Sequence, residues 1–192
     1  MSTLSAPLVP AWRPSWVNSG TRQAALVLAA SGALAISAQV QIPMWPVPVT
    51  GQTFVVLLLG FLLGPRLAVA ATLTYLVEGA VGLPVFAGFG AGVAVLTGPT
   101  AGYLWGFVLA AGLTGVLATR GWQNRPATTA LAMLLGNVVI YLLGAGWLAQ
   151  LTDVSTALSS GVWPFLVGDL AKIALATALV PALAARIGGA TD

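Results

Sequence analysis

Three ionisable side chains stand inside otherwise apolar segments of the chain: Glu78, Asp169 and Lys172. Ionisable residues are costly within a membrane and are therefore candidates for a functional site by default. Asp169 and Lys172 are three residues apart, which makes them neighbours on one face of a helix. Lys172 is the only lysine, and its ammonium can meet an anion, whereas the two carboxylates can accept hydrogen bonds from N–H groups. These residue types suit a ligand that has both a carboxylate and amide-like N–H groups.

A structural role for the same residues stays open at this point. Asp169 and Lys172 can neutralise each other within one helix, or Lys172 can pair with Glu78 across two helices and fix their packing. A buried ion pair rarely stabilises a protein more than apolar residues of the same size would. Ligand binding is therefore the favoured interpretation of the pair.

Other polar residues are placed to join such a site. Asn137 and Tyr141 share one face of a helix, and Thr50, Gln52 and Tyr75 can complete a polar cluster. Each can equally serve as a hydrogen bond between helices, which contributes about 0.6 kcal/mol on average in a membrane. Both interpretations are kept.

Aromatic residues can supply the apolar part of a pocket. Trp45, Phe86 and Tyr103 lie near the predicted ends of apolar segments. Trp and Tyr in such positions also anchor a protein at the membrane interface, so wall and anchor are alternative roles for them. A stripe of small residues, Ala25, Ala29 and Ala33, gives the first apolar segment a smooth face that another helix can approach closely.

The composition requires a lipid environment for these residues. Hydrophobic residues make up 58% of the chain and charged residues 6%, with a mean hydropathy of +0.97, whereas about a quarter of the residues in a soluble domain are charged. Cysteine and histidine are absent, which excludes disulfides, Cys or His metal sites and thiol nucleophiles. We expect an all-α integral membrane protein with no metal, no cofactor and no enzymatic activity. Basic residues do not cluster, so nucleic acid is not an expected partner.

Apolar segments separated by Pro, Gly and Arg predict six transmembrane helices in a single domain, residues 21–188. They cover residues 22–40, 50–63, 66–83, 101–119, 127–149 and 162–187. Residues 1–20 contain three prolines and are predicted to form a cytoplasmic tail, because they lack the pattern of a signal peptide. Residues 41–50 and 82–92 are rich in Pro, Gly and aromatic side chains and cannot continue a helix.

The arginines predict the orientation. Positive residues accumulate in short cytoplasmic loops, and an arrangement with both termini inside places all six arginines in the cytoplasm. These are Arg13, Arg22, Arg66, Arg120, Arg125 and Arg186. The protein then lies in the cell membrane with its two irregular loops facing outward. The three intramembrane ionisable residues lie in the outer half of the membrane.

Five motifs in order give the chain a family resemblance. They are Pro46-Val-Pro-Val-Thr-Gly-Gln52, Leu63-Gly-Pro-Arg66, Tyr75-Leu-Val-Glu-Gly-Ala-Val-Gly-Leu-Pro-Val-Phe86, Gly98-Pro-Thr-Ala-Gly-Tyr103 and Gly168-Asp-Leu-Ala-Lys172. Together they resemble the BioY family, the biotin-specific S components of energy-coupling factor (ECF) transporters. The resemblance extends from about residue 22 to residue 187.

The resemblance implies a six-helix S-component fold with an outward-facing biotin pocket closed by the loops after the first and third helices. It implies ligand contacts for Asp169 and Lys172, and a pocket wall around Tyr75, Glu78 and Phe86. The alanine stripe would dock the transmembrane T component, and two cytoplasmic ATPase subunits would supply energy. The chain itself has no Gly-Lys pair and hence no Walker-type phosphate loop.

The implied function is high-affinity capture of biotin for import. An S component for another small vitamin would have the same fold with a different pocket. A membrane enzyme that uses Glu78 and Asp169 as acid and base would turn over its substrate without an ATPase. A purely structural helix-packing protein would bind no small molecule.

Overall fold

The fold is almost entirely helical in the computed structural model, which describes residues 6–12 and 18–188. The helices are α1 (Leu8–Trp12), α2 (Gly20–Gln39), α3 (Gln52–Leu63), α4 (Pro65–Ala80), α5 (Ala101–Thr119), α6 (Pro126–Leu151), α7 (Val154–Gly161) and α8 (Trp163–Gly188). Two short strands, β1 (Gln41–Ile42) and β2 (Val49–Thr50), pair antiparallel. Single 3₁₀ turns cover Ala87–Phe89, Val93–Leu96 and Trp122–Asn124. Arg13 and Pro14, which belong to the predicted tail, lie outside the described residues.

Each of the six predicted segments contains a helix whose ends differ from the prediction by three residues at most. Among the described residues, four helical stretches are long and apolar enough to cross a membrane: Gly20–Gln39, Ala101–Thr119, Pro126–Leu151 and Val154–Arg186. Helix α3 has 12 residues, about 18 Å at 1.5 Å per residue, against a hydrocarbon core of about 30 Å. The chain is thus a membrane protein with several apolar helices, of which α3 is short for a membrane span.

Helix α7 was not predicted from the sequence. Its N-terminus is capped by Asp153, whose carboxylate accepts a hydrogen bond from the backbone N–H of Thr156 at 2.9 Å. The Thr156 hydroxyl also donates to this carboxylate, and these bonds hold the pKa of Asp153 below its usual range. Local capping therefore stabilises a helix that has too few apolar residues to be recognised by hydropathy.

Helix α5 occupies the centre of the bundle and packs against α3, α4 and α6. Its contact with α3 is close, since a Cβ added at Gly60 would lie 2.0 Å from the Thr114 hydroxyl oxygen. Small residues at such contacts let helix backbones approach within a membrane. Helix α2 packs on α4, and one side of it stays exposed.

The two ends of the bundle differ. At one end, the hairpin of β1 and β2 lies near the turn around residue 86, and a cis peptide bond joins Trp45 and Pro46. At the other end, α1 packs against α3 and α8, with Leu8 buried. The Gln123 side chain donates a hydrogen bond to the Ala6 carbonyl oxygen at 3.1 Å. The described part of the predicted tail is therefore docked onto the bundle.

Candidate functional site

A cavity of about 130 Å³ lies beneath the hairpin and the turn formed by residues 85–90. Residues from α3, α5, α6, α8 and both loops form its wall. The apolar part is formed by Val47, Pro48, Phe86, Ala87, Val95, Leu104, Phe107, Ile140 and Phe165. The polar part is formed by Thr50, Gln52, Thr53, Thr100, Tyr103 and Tyr141. A mostly apolar wall with a few polar groups is typical of a small-molecule site.

A polar network centred on Lys172 lies directly behind one side of this wall. The Lys172 ammonium donates to the Thr50 carbonyl oxygen at 2.9 Å, to the Thr53 hydroxyl at 2.7 Å and to Oδ1 of Asp169 at 2.9 Å. An ammonium has three N–H donors, so this set satisfies all of them. Lys172 thereby joins its own helix to β2 and to the first turn of α3.

Asp169 is the most buried ionisable group of the network, with 3% of its surface exposed. Besides Lys172, its Oδ1 atom accepts a hydrogen bond from the Thr53 hydroxyl at 3.1 Å. The Tyr141 hydroxyl donates to Oδ2. A buried carboxylate needs such partners to offset its loss of hydration. Of the two pairings left open by the sequence, the structure contains the intrahelical pair of Asp169 and Lys172.

A second polar chain ties the cavity floor to the loop above it. The Gln52 amide donates to the Tyr75 hydroxyl at 2.8 Å, and this hydroxyl donates to the Val85 carbonyl oxygen at 3.3 Å. The Thr50 hydroxyl donates to Oε1 of Gln52 at 3.2 Å. Tyr75 also packs edge-on against Phe86, with ring centroids 5.4 Å apart. Tyr75 is therefore a support for the wall.

The opposite wall is aromatic. Tyr103 stacks on Phe165, with centroids 6.2 Å apart and an angle of 15° between the ring planes, and Tyr141 meets Phe165 edge-on. The Tyr103 hydroxyl donates to the Gly161 carbonyl oxygen at 2.8 Å. This bond fixes the Tyr103 ring at the junction between α7 and α8.

The predicted site residues divide into three groups. Thr50, Gln52, Phe86 and Tyr103 line the cavity. Asp169, Lys172 and Tyr75 contact lining residues from behind, as described above. Glu78, Trp45 and Asn137 are not among the residues that line it in the described part of the chain.

The third group has other surroundings. Glu78 is half-buried on α4 and accepts a hydrogen bond from the Ser31 hydroxyl of α2. Trp45 is 83% exposed at the tip of the hairpin. Asn137 is buried one helical turn from Tyr141, and its Oδ1 atom accepts no hydrogen bond from any residue that the structure describes. Ligand contacts for these three residues stay predictions.

One residue of the network was not expected from the sequence, and a second was expected only as one of the polar residues that can join a site. Thr53 is both an acceptor for Lys172 and a donor to Asp169. Tyr141 shares a helix face with Asn137 and is, from the sequence, a candidate either for the site or for a hydrogen bond between helices. Its position one turn after a polar residue in an apolar helix was a usable signal, whereas Thr53 follows Gln52 in a stretch where threonine is unremarkable.

A separate predicted surface lies on α2. Ala25, Ala29 and Ala33 are all exposed and form a continuous stripe along the helix. Leu28 and Ile36 flank this stripe and are 58% and 72% exposed. This face of α2 is thus available to another protein or to lipid.

Comparison with known proteins gives consistent matches. The model of the BioY family matches residues 8–189. A probable biotin transporter BioY from Pyrococcus horikoshii is 40% identical over 148 residues, which cover 77% of this chain and 87% of the relative. The biotin transporter BioY of Thermotoga maritima is 40% identical over 144 residues, covering 74% and 84% of the two chains.

A solved structure has the same fold. The crystal structure of the S-component for biotin from an ECF-type ABC transporter superposes with a TM-score of 0.71. The match covers 86% of this chain and 92% of that chain, at 24% sequence identity. The S-component fold expected from the resemblance is therefore confirmed.

Proposed function

Because the chain belongs to the BioY family, we propose that it is the S component of an ECF-type importer and captures biotin from outside the cell. Biotin has an apolar bicyclic body, a ureido ring with two N–H donors and one carbonyl acceptor, and a carboxylate. The aromatic and aliphatic wall suits the bicyclic body, and the threonine, tyrosine and glutamine groups suit the two polar ends.

The observation that carries this proposal is the coincidence of the cavity with the intramembrane ion pair. Thr53 and Tyr141 line the cavity and also bind Asp169. A ligand donor that approaches either hydroxyl therefore meets the field of a buried carboxylate. A helix-packing role for the pair gives no reason for it to lie behind the wall of a cavity.

Lys172 binds the ligand carboxylate by exchanging one of its present bonds. All three of its donors are in use, so an incoming carboxylate must replace an existing acceptor. Replacing the Thr50 carbonyl oxygen leaves the ion pair with Asp169 intact, and a carboxylate is a stronger acceptor than a neutral carbonyl. Ligand binding would thus release β2 from Lys172.

The cavity must widen to hold the ligand. Its volume of about 130 Å³ is below the roughly 300–1,000 Å³ that is usual for small-molecule pockets. The helical part of the wall is held by packing, whereas the hairpin and the turn of residues 85–90 can move outward. Ligand entry from the outer side therefore passes between these two loops.

Six transmembrane helices with both termini in the cytoplasm complete the proposal. The junction of α3 and α4 at Gly64, the turn before α6 and the docked residues 6–12 all lie at one end of the bundle. Arg66, Arg120 and Arg125 are adjacent to these junctions. Their location supports a cytoplasmic end, with residues 1–20 as its N-terminal extension and residues 21–188 as the membrane domain.

Energy for uptake comes from partners in this proposal. The exposed stripe of Ala25, Ala29 and Ala33 fits the close approach of a helix from a transmembrane T component. Two cytoplasmic ATPase subunits would bind that T component. The sole lysine is Lys172, which lies next to the cavity, so this chain has no phosphate-loop lysine of its own.

Calorimetry on the purified protein in detergent tests the capture role. We expect tight binding of biotin, no binding of thiamine or riboflavin, and loss of binding in Asp169→Asn. Asp153→Asn is the matched control, because it makes the same chemical change at an exposed capping position where asparagine also caps well. Binding of another vitamin would indicate a different S component, and a folded protein that binds none of them would support the helix-packing alternative.

A further inference from the structure

We propose that the Gln39 side chain is a positioning group that latches the turn formed by residues 85–90, here called the Phe86 turn, over the cavity. Gln39 is the last residue of α2 and does not line the cavity. The inference rests on the proposed function, because it assigns to this side chain control over the rate at which biotin leaves.

The Gln39 amide holds both arms of the Phe86 turn. Its Nε2 atom donates to the Phe86 carbonyl oxygen at 3.0 Å, and the Val85 carbonyl oxygen lies 3.4 Å from the same nitrogen. Its Oε1 atom accepts a hydrogen bond from the Phe89 backbone N–H at 3.1 Å. A further bond from Nε2 to the Ala35 carbonyl oxygen, 3.3 Å long, keeps the side chain against α2. One side chain thus joins the helix to the entry and the exit of the turn.

The turn needs such a restraint because its backbone is strained. Phe89 has a φ of +58°, which a side chain with a Cβ rarely adopts. A strained residue persists only where its surroundings fix it. The Phe89 ring does not provide this, since it is 69% exposed. The bond from the Phe89 N–H to Gln39 holds this conformation, together with the backbone hydrogen bonds of Gly90 to Phe86 and Ala87.

The other face of the turn forms part of the cavity wall. Phe86 is 2% exposed, lines the cavity and packs on Tyr75. Movement of the turn away from α2 withdraws this ring and opens the cavity to the outer side. The Tyr75 hydroxyl holds the Val85 carbonyl from below. Loss of Gln39 alone therefore loosens the turn without removing any lining group.

The test compares Gln39→Leu with the unaltered protein in lipid nanodiscs. Leucine has a similar volume and no hydrogen-bonding group, so the turn should open more often. We expect biotin to dissociate about tenfold faster, the change that loss of one effective hydrogen bond produces. Gln150→Leu, at an exposed glutamine of α6, is the matched control and should leave the rate unchanged.

Hydrogen exchange provides a readout that does not depend on biotin. The Phe89 amide should exchange faster in Gln39→Leu, whereas amides within α5 and α6 should keep their protection. Gln39→Glu retains the acceptor for Phe89 but cannot donate to Phe86, so its exchange and dissociation rates should lie between the two. Unchanged exchange at Phe89 in Gln39→Leu overturns the latch. Faster exchange in a protein that binds no biotin would support the latch and refute the proposed ligand.

Discussion

The two carboxylates within the apolar helices have very different surroundings. Asp169 is nearly inaccessible, is paired with Lys172 and accepts hydrogen bonds from Thr53 and Tyr141, two residues of the cavity wall. Glu78 is half-buried and accepts a hydrogen bond from Ser31, which ties α4 to α2. The same functional group thus lies in the polar network behind the cavity wall in one place and links two helices in the other. What distinguishes them is the set of partners, since both lie in apolar helices.

The largest effect should come from Lys172→Met. This change leaves Asp169 buried without its cation, which costs about 3–5 kcal/mol of stability for a buried pair. Biotin affinity should also fall by about a hundredfold or more, because an ionic hydrogen bond to the ligand is lost. Thermal unfolding followed by tryptophan fluorescence and calorimetric titration measure the two effects.

The double variant Asp169→Asn with Lys172→Met separates stability from binding. It removes both charges, so most of the stability should return while biotin affinity stays at least as low as in Lys172→Met. Arg186→Met, at the far end of the same helix, controls for loss of a cation in general. Retained affinity in Lys172→Met would contradict the role assigned to the ammonium.

A smaller loss is expected for Tyr141→Phe. The ring that packs on Phe165 is kept, while the hydrogen bond to Asp169 is removed. Hydrogen bonds to charged groups contribute about 1.5–3 kcal/mol, so biotin affinity should fall about tenfold or somewhat more. The dissociation constant from titration measures this. An unchanged constant would mean that Asp169 does not act through the cavity wall at Tyr141.

The smallest effect on affinity is expected for Glu78→Gln. Glutamine can still accept the hydrogen bond from Ser31, and Glu78 is not among the described residues that line the cavity. Biotin affinity should change by less than about threefold, within about 0.7 kcal/mol. A loss comparable to that of Asp169→Asn would break the distinction between the two carboxylates and return Glu78 to the ligand site.

The helices could be predicted from sequence because hydrocarbon leaves the backbone few choices. Polar backbone groups must bond within the segment, so apolar runs between Pro, Gly and Arg become helices. Helix α7 was missed because its sequence, VSTALSSG, contains few large apolar residues and depends on the cap at Asp153. The hairpin after α2 was missed because two-residue strands have no readable periodicity.

The site could be predicted only in part. Rarity identified Asp169 and Lys172, since charges are scarce in apolar helices. The position of a residue along the chain predicts its depth in the membrane, but which way a helix faces depends on packing. The charge of Glu78 and the aromatic ring of Trp45 therefore made them candidates for the site, but the sequence does not show whether either side chain faces the cavity. Gln39 gave no signal, because a glutamine at the end of a helix is ordinary until the loop it binds is seen.

Two aromatic rings of the cavity wall pack directly against glycines, and this restricts which substitutions these glycine positions can accept. A Cβ at Gly79 would lie 2.0 Å from Cζ of Phe86, and one at Gly144 would lie 2.2 Å from Cδ1 of Tyr103. Neither glycine can gain a side chain while its ring stays in place. Across descendants of this chain, an alanine at either position should occur together with a smaller residue in place of the ring. The shape of the pocket thus depends on pairs of residues from different elements, and the two members of each pair must change together.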